Sequence, residues 1–213
     1  MRQRVRWLGL GLASLTAAWL WYAASVHTWL GQWVDAELTG SILTAFPGAL
    51  GEALGALARP LLLFVLALVV AGLAVLALAR GRWAAVLAAT VTAGLPAALS
   101  PYLRQDVLTR PDLGVSGYAY NTFPSTHASA AFGLLAALLL VWPRDPDRPD
   151  VSRAAFLAAL VMVGNVSSHA HRAADVVGAL LLTCAIAWLA AATFGFKPAR
   201  PRRQHVRPRS SPK

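Results

Sequence analysis

Residues 61–79 read LLLFVLALVVAGLAVLALA, a stretch that contains no Lys, Arg, Asp or Glu. The hydrocarbon core of a bilayer is about 30 Å thick, which a helix of roughly 20 apolar residues can cross. Because lipid offers the backbone no hydrogen-bond partners, such a run is expected to be helical. The stretch therefore predicts a transmembrane helix.

Similar charge-free runs, rich in Ala, Leu and Val, recur along the chain. The composition agrees, since the 213 residues are 57% hydrophobic and only 13% charged, against about 25% charged in soluble domains. We therefore predict an all-α, polytopic membrane protein with six transmembrane helices in one domain, residues 1–196. The predicted spans are 7–30, 61–79, 83–103, 125–142, 154–168 and 176–196.

Two segments allow other interpretations. The first run follows three arginines and could be a cleaved signal peptide, but its length and its two internal tryptophans favour a span. Residues 31–57 carry acidic side chains and are predicted to form a long outer loop, in which 47–57 makes a short interfacial helix.

The net charge of +10 is unevenly distributed. With six spans, 15 of the 19 Lys and Arg residues fall on one side, which the positive-inside rule places in the cytoplasm together with both termini. The Pro- and Arg-rich tail, 197–213, is predicted to be disordered and attracted to anionic lipid headgroups, so no nucleic-acid partner is expected. The four remaining cations are Arg59, Arg104, Arg110 and Arg172.

Polar residues collect in three clusters at the predicted outer ends of the spans: 104–111, 124–127 and 165–175. Ionisable groups at membrane depth are costly, so a functional role is their first interpretation. All three clusters are expected on the same aqueous face, although they come from different helices.

The residue types in these clusters suit phosphoryl transfer. His171 and Asp175 are spaced i, i+4, and a carboxylate bonded to one imidazole nitrogen leaves the other free as a nucleophile or base. Ser125 can cap a helix, which places His127 in the first turn beside unpaired N–H groups that attract anions. The guanidinium groups of the outer arginines match phosphate oxygens.

Other interpretations of the same residues stay open. Two histidines and an Asp can form a metal site, to which His169 would add a ligand. A single His at a helix end, such as His27, is more often an interfacial polar residue, and an Arg near a span boundary is more often a membrane anchor. The single Cys184 excludes an intramolecular disulfide and a cysteine metal cluster.

The order of the clusters resembles the type 2 phosphatidic acid phosphatase (PAP2) family, whose pattern is K-x6-RP, PSGH and SR-x5-H-x3-D. The likeness covers about a third of the chain. In the first motif, Arg104 stands where the family has Lys, with one residue fewer before Arg110-Pro111. Thr126 stands where the family has Gly, and the family's SR pair falls on Gly164-Asn165, so its phosphate-binding arginine is absent. The matching positions are Arg104, Arg110, Pro111, Pro124, Ser125, His127, His171 and Asp175.

The resemblance implies roles for these residues. His171 would be the nucleophile that forms a phosphohistidine, Asp175 would orient it, and His127 would be the general acid. No metal or other cofactor is implied. The phosphate would be bound by Arg104, Arg110, Ser125 and Thr126, with Asn165 donating a neutral hydrogen bond.

The resulting hypothesis is a multi-pass enzyme of the inner (plasma) membrane with its active site on the extracytoplasmic face. It would remove phosphate from a lipid phosphate or pyrophosphate, such as a polyprenyl pyrophosphate or a phosphatidate. One alternative is a phosphotransferase that passes the group to another lipid, and a second is a catalytically weak protein that binds lipid phosphates. The particular lipid and the oligomeric state stay open.

Overall fold

The computed structural model describes residues 2–115, 120–143 and 148–195, and within these ranges the chain is helical without a β-strand. The predicted all-α class is therefore confirmed. The predicted tail, 197–213, lies outside the described residues. The helices are α1 (Arg2–His27), α2 (Trp29–Ala45), α3 (Ala49–Ala56), α4 (Leu62–Ala79), α5 (Trp83–Tyr102), α6 (Thr126–Val141), α7 (Arg148–Ser167) and α8 (Ala173–Phe194).

Five stretches of the described chain are long and apolar enough to cross a bilayer. The fourth predicted span corresponds to α6, whose 16 residues rise about 24 Å, less than the thickness of the hydrocarbon core. The structure thus has five candidate spans and one shorter apolar helix, where the sequence predicted six spans. The five are Arg2–His27, Ala49–Ala79, Trp83–Val107, Pro149–Ser167 and Ala173–Phe194.

Helix α8 is the centre of the bundle and packs against α1, α5 and α6. Small residues let neighbouring helices of the bundle pack closely, as is usual between membrane helices. At Gly133 of α6, for example, a Cβ atom would lie 2.7 Å from the carbonyl oxygen of Thr92 in α5. The main apolar core joins α4, α6, α7 and α8 around Phe132, Leu135 and Val161.

The prediction of a loop is wrong for residues 31–45, which lie in α2, whereas the short helix predicted over 47–57 is present as α3. Helix α2 begins at Thr28, whose hydroxyl accepts a hydrogen bond from the Gly31 N–H. Its polar residues Gln32, Asp35 and Thr39 are buried, and their spacing of i, i+3, i+7 places them on one face. Because this polar face turns inward, α2 packs against α7 and α8 and leaves its apolar side chains exposed.

Helix α3 continues into α4 through a π-helical turn, Leu57–Leu61, so the predicted break before residue 61 does not occur. Pro60 lies in this turn, and the wider spacing accommodates a residue that lacks an N–H. A second π-helical turn, Leu103–Val107, follows Pro101 at the end of α5. The two turns carry Arg59 and Arg104, respectively.

Candidate active site

The start of α6 is fixed by Ser125, as the sequence predicts. The Ser125 hydroxyl accepts a hydrogen bond of 3.3 Å from the Ala128 N–H, which makes Ser125 the N-cap. Its own N–H donates to the backbone oxygen of Asp175 at 3.2 Å. The second and third predicted clusters are therefore joined directly, through the beginnings of α6 and α8.

The Asp175 carboxylate is fully buried and receives donors from three parts of the chain. Arg110 Nη2 donates to its Oδ1 at 2.5 Å, and the Thr122 hydroxyl donates to its Oδ2 at 2.5 Å. The Arg172 N–H donates to the same Oδ2 at 3.1 Å. These contacts hold the carboxylate in a single orientation.

His171 lies beside this carboxylate, but not on a helix as the i, i+4 spacing suggested. Helix α8 begins after its N-cap, Arg172, so His171 precedes the helix, and its N–H donates to the Asn165 carbonyl at 3.2 Å. The buried ring nitrogen Nδ1 lies 3.6 Å from Asp175 Oδ2, which is too long for a hydrogen bond. The ring is thus turned toward Asp175 without being bonded to it.

Asp35 of α2 is a member of the site that the sequence analysis missed. Its Oδ1 accepts a hydrogen bond of 2.7 Å from the Ala174 N–H, and its Oδ2 lies 3.7 Å from Arg172 Nη1 and 4.0 Å from Arg110 Nη1. Two arginines and two aspartates therefore form a buried cluster whose charges balance. The signal that could have found Asp35 is the polar spacing of α2 described above.

The pKa of the Asp35 carboxyl is raised to about 6, mainly because burial disfavours its charged form. The hydrogen bond from the Ala174 N–H opposes this rise, the charge of Asp175 adds to it, and the charges of Arg172 and Arg110 oppose it. Asp35 is thus a carboxylate that titrates close to neutral pH.

His127 lies in the first turn of α6 and is exposed. It lines an open cavity of about 360 Å³ together with Glu52, Arg59, Leu63 and Ser168. The Arg59, Arg104 and His171 side chains lie within electrostatic range of its ring. The two histidines of the predicted site lie at the same end of the bundle, because the segment before α6 is hydrogen-bonded to the first turn of α8 and His171 lies beside Asp175.

The remaining predicted phosphate ligands occupy different surroundings. Arg110 has a side chain only 6% exposed and is in contact with carboxylates, so its contacts are those of an ion-pair partner. Asn165 is fully buried, and its Nδ2 donates to the Val161 carbonyl at 2.8 Å. Thr126 is partly buried, with a hydroxyl oxygen that has no partner in the described chain. Neither Arg110 nor Asn165 lines the cavity beside His127.

A metal site was the alternative for this cluster. Within the described ranges, no group of three or more His, Cys, Asp or Glu side chains is arranged to hold a metal ion. His169 is exposed, with a left-handed backbone at φ 56°, and it makes no ion pair with the described residues.

The order of these clusters along the chain agrees with a comparison of the sequence against known families. Residues 105–198 match the PAP2 superfamily. This match confirms the resemblance drawn from the motifs. The PAP2 segment contains His127, His171 and Asp175, whereas Asp35 and Arg59 precede it. No curated protein and no solved structure matches the chain.

Proposed function

We propose that this chain removes phosphate from a membrane lipid phosphate or pyrophosphate on the extracytoplasmic face, through a phosphohistidine at His171. The observation that carries the proposal is the contact between the segments that hold His127 and His171. Ser125, two residues before His127, donates its N–H to the Asp175 backbone oxygen, and the Asp175 carboxylate lies 3.6 Å from His171 Nδ1. Both histidines belong to the segment that matches the PAP2 superfamily. Two imidazoles on either side of a phosphoryl group can act as nucleophile and general acid.

The first step uses the orientation of His171. Its Nδ1 faces Asp175, so a closure of about 0.5 Å would bring the pair to the hydrogen-bond distance that is often reached only with substrate bound. The Nδ1–H of His171 then donates a hydrogen bond to Asp175 and keeps its proton. The Nε2 lone pair attacks phosphorus, and the bond from phosphorus to the leaving oxygen breaks. His127 gives its proton to that oxygen.

The second step reverses the role of His127. The neutral imidazole takes a proton from a water molecule, whose oxygen attacks the phosphohistidine. The P–N bond breaks, the electron pair returns to His171, and inorganic phosphate leaves. His127 is then protonated again and both histidines are ready for another turnover.

The surroundings of His127 support a lipid substrate. The cavity opens beside Pro60 and Leu63, at the start of α4. Helix α4 exposes large apolar side chains such as Phe64 and Leu68, which suit contact with acyl or prenyl chains. A phosphate at the cavity would thus be continuous with an apolar tail along α4.

The test is phosphate release by the full-length protein in detergent, with dioleoyl phosphatidate and farnesyl pyrophosphate as substrates. We expect His171→Ala to abolish release and His127→Ala to lower it by about 10²–10⁴-fold. A His205→Ala control, altered in the tail, should behave as wild type. Trapping with ³²P-labelled substrate should give an acid-labile label on the wild type that His171→Ala lacks.

Other outcomes discriminate between the alternatives. Release that persists in both histidine variants would overturn the assigned site. Labelled phosphate that appears on a second lipid with little free phosphate identifies a phosphotransferase. Bound phosphatidate without any release identifies a lipid-phosphate binder.

A further inference from the structure

We propose that Arg59, which lies outside the segment matched to the PAP2 superfamily, binds the phosphate of the substrate in the cavity beside His127. The inference rests on the proposed function and identifies the side chain that supplies positive charge to the phosphate-binding site. Its first basis is position, since Arg59, His127 and Ser168 line the same cavity of about 360 Å³.

The second basis is the state of the outer arginines. Arg110 and Arg172 are in contact with the buried carboxylates of Asp35 and Asp175, so their charges are already balanced. Arg59 makes no ion pair with the described residues, and its Nε is buried without a hydrogen-bond partner there. A guanidinium with an unsatisfied donor at a cavity wall is suited to an oxyanion, because phosphate oxygens accept charge-assisted hydrogen bonds.

The third basis is the local backbone. Arg59 lies in the π-helical turn Leu57–Leu61, directly before Pro60. Arg104, the other outer arginine without a described ion pair, lies in the second π-helical turn. Single π-helical turns are frequent at functional sites because they redirect side chains out of the regular helical array. The first of these turns places Arg59 at the wall of the cavity that His127 lines.

The fourth basis is the packing of α3 on α7. A Cβ atom at Gly164 would lie 2.6 Å from the Leu54 carbonyl oxygen, so only glycine lets the two helices approach this closely. A Cβ atom at Gly55 would likewise collide with Ser168. Gly164 and Asn165 are the positions where the family pattern has its Ser-Arg pair. Because Gly164 has no side chain, the π-helical turn that carries Arg59 can pack against α7.

Glu52 also lines the cavity, but it is exposed. At the rim, solvent and salt screen its charge. Its negative charge therefore weakens the attraction of an anion only modestly. Removing this charge should strengthen anion binding, whereas removing the charge of Arg59 should weaken it.

The experiment measures binding of inorganic phosphate and of orthovanadate by calorimetry, and hydrolysis of dioleoyl phosphatidate, on the full-length protein in detergent. The variants are Arg59→Ala, Arg59→Lys and Glu52→Gln. The matched control is Arg80→Ala, which removes an exposed arginine from the end of α4. Thermal unfolding of each variant shows whether the fold is retained.

We expect Arg59→Ala to weaken phosphate binding and to raise KM about tenfold to a hundredfold. Arg59→Lys should retain part of the affinity, since lysine keeps the charge and loses the planar pair of donors. Glu52→Gln should strengthen binding up to about fivefold, and Arg80→Ala should not differ from wild type. If Arg59→Ala does not fold, the neutral variant Arg59→Gln takes its place, and a wild-type phosphate affinity in that variant overturns the inference.

The outcomes separate this inference from the proposed function. Hydrolysis with unchanged KM and phosphate affinity in Arg59→Ala overturns the role of Arg59 and leaves the hydrolase standing. Phosphate binding that depends on Arg59, without hydrolysis of any lipid, supports Arg59 and overturns the hydrolase. A wild-type protein that binds neither phosphate nor vanadate and hydrolyses no lipid phosphate overturns both.

Discussion

Arg110 Nη2 donates a hydrogen bond of 2.5 Å to Asp175 Oδ1, although the two residues are 65 positions apart in the chain. This contact joins the segment after α5 to the first turn of α8, where Asp175 faces His171. A residue that the family pattern assigns to phosphate thus serves in this structure to hold the Asp175 carboxylate beside His171.

Breaking this pair should destabilise the fold strongly. Arg110→Met removes the guanidinium and leaves the buried Asp175 charge uncompensated, which costs about 3–5 kcal/mol. Thermal unfolding in detergent, followed by tryptophan fluorescence, measures the loss. The control is Arg80→Met, because Arg80 is exposed at the end of α4, and substitutions at such surface positions usually change stability by no more than about 0.5 kcal/mol. Equal losses in the two variants would contradict the role given to Arg110.

Asp35 should make stability depend on pH. Burial raises the pKa of its carboxyl from 3.8 to about 6, so between these values the folded state binds more protons than the unfolded state. Stability from this group is therefore complete below pH 4 and is lost as the pH rises through 6. Asp175, Arg110 and Arg172 face the carboxyl and modulate the midpoint.

The measurement compares wild type with Asp35→Asn, which keeps an oxygen for the Ala174 N–H. The free energy of unfolding of the wild type minus that of the variant should fall by on the order of 3 kcal/mol between pH 4 and 7.5. A difference that is constant, or that grows with pH, would show that the Asp35 pKa is not raised.

The cap of α6 provides a third prediction. Ser125→Ala removes the acceptor of the Ala128 N–H and should lower the free energy of unfolding by about 1 kcal/mol. Because His127 lies two residues later, phosphate release should fall as well. Ser41→Ala serves as the control, since the exposed Ser41 hydroxyl only donates to the Glu37 carbonyl. An activity loss without any change in stability would indicate that Ser125 binds the phosphate directly.

The sequence predicted those parts of the fold that depend on local rules. Charge-free runs indicated the membrane helices, because an unpaired charge in lipid is costly. Ser125 after a proline indicated the start of α6. Helix α2 could not be predicted from charge-free runs, because Asp35 and Glu37 interrupt its apolar sequence and its polar face is turned toward the protein.

The site was predictable in its members but not in its contacts. The His171–Asp175 spacing was interpreted as two positions on one helix. In the structure only Asp175 is in α8, because the helix begins after its N-cap, Arg172, and His171 lies in the preceding loop. Arg59 was the one outer cation without polar neighbours in the sequence. Its place beside His127 depends on the approach of α3 to α7, a tertiary contact between residues more than 100 positions apart.

That approach gives the last prediction. Gly164→Ala places a methyl group 2.6 Å from the Leu54 carbonyl oxygen, so α3 must move away from α7, at a cost of about 1–3 kcal/mol. If Arg59 acts as proposed, its displacement should also weaken phosphate binding. Gly72→Ala is the matched control, because no atom lies within 4 Å of a Cβ atom there, and alanine should raise helix stability by about 0.5–1 kcal/mol. Phosphate affinity that is unchanged in Gly164→Ala, despite the lost stability, would show that the packing of α3 on α7 does not position the phosphate site.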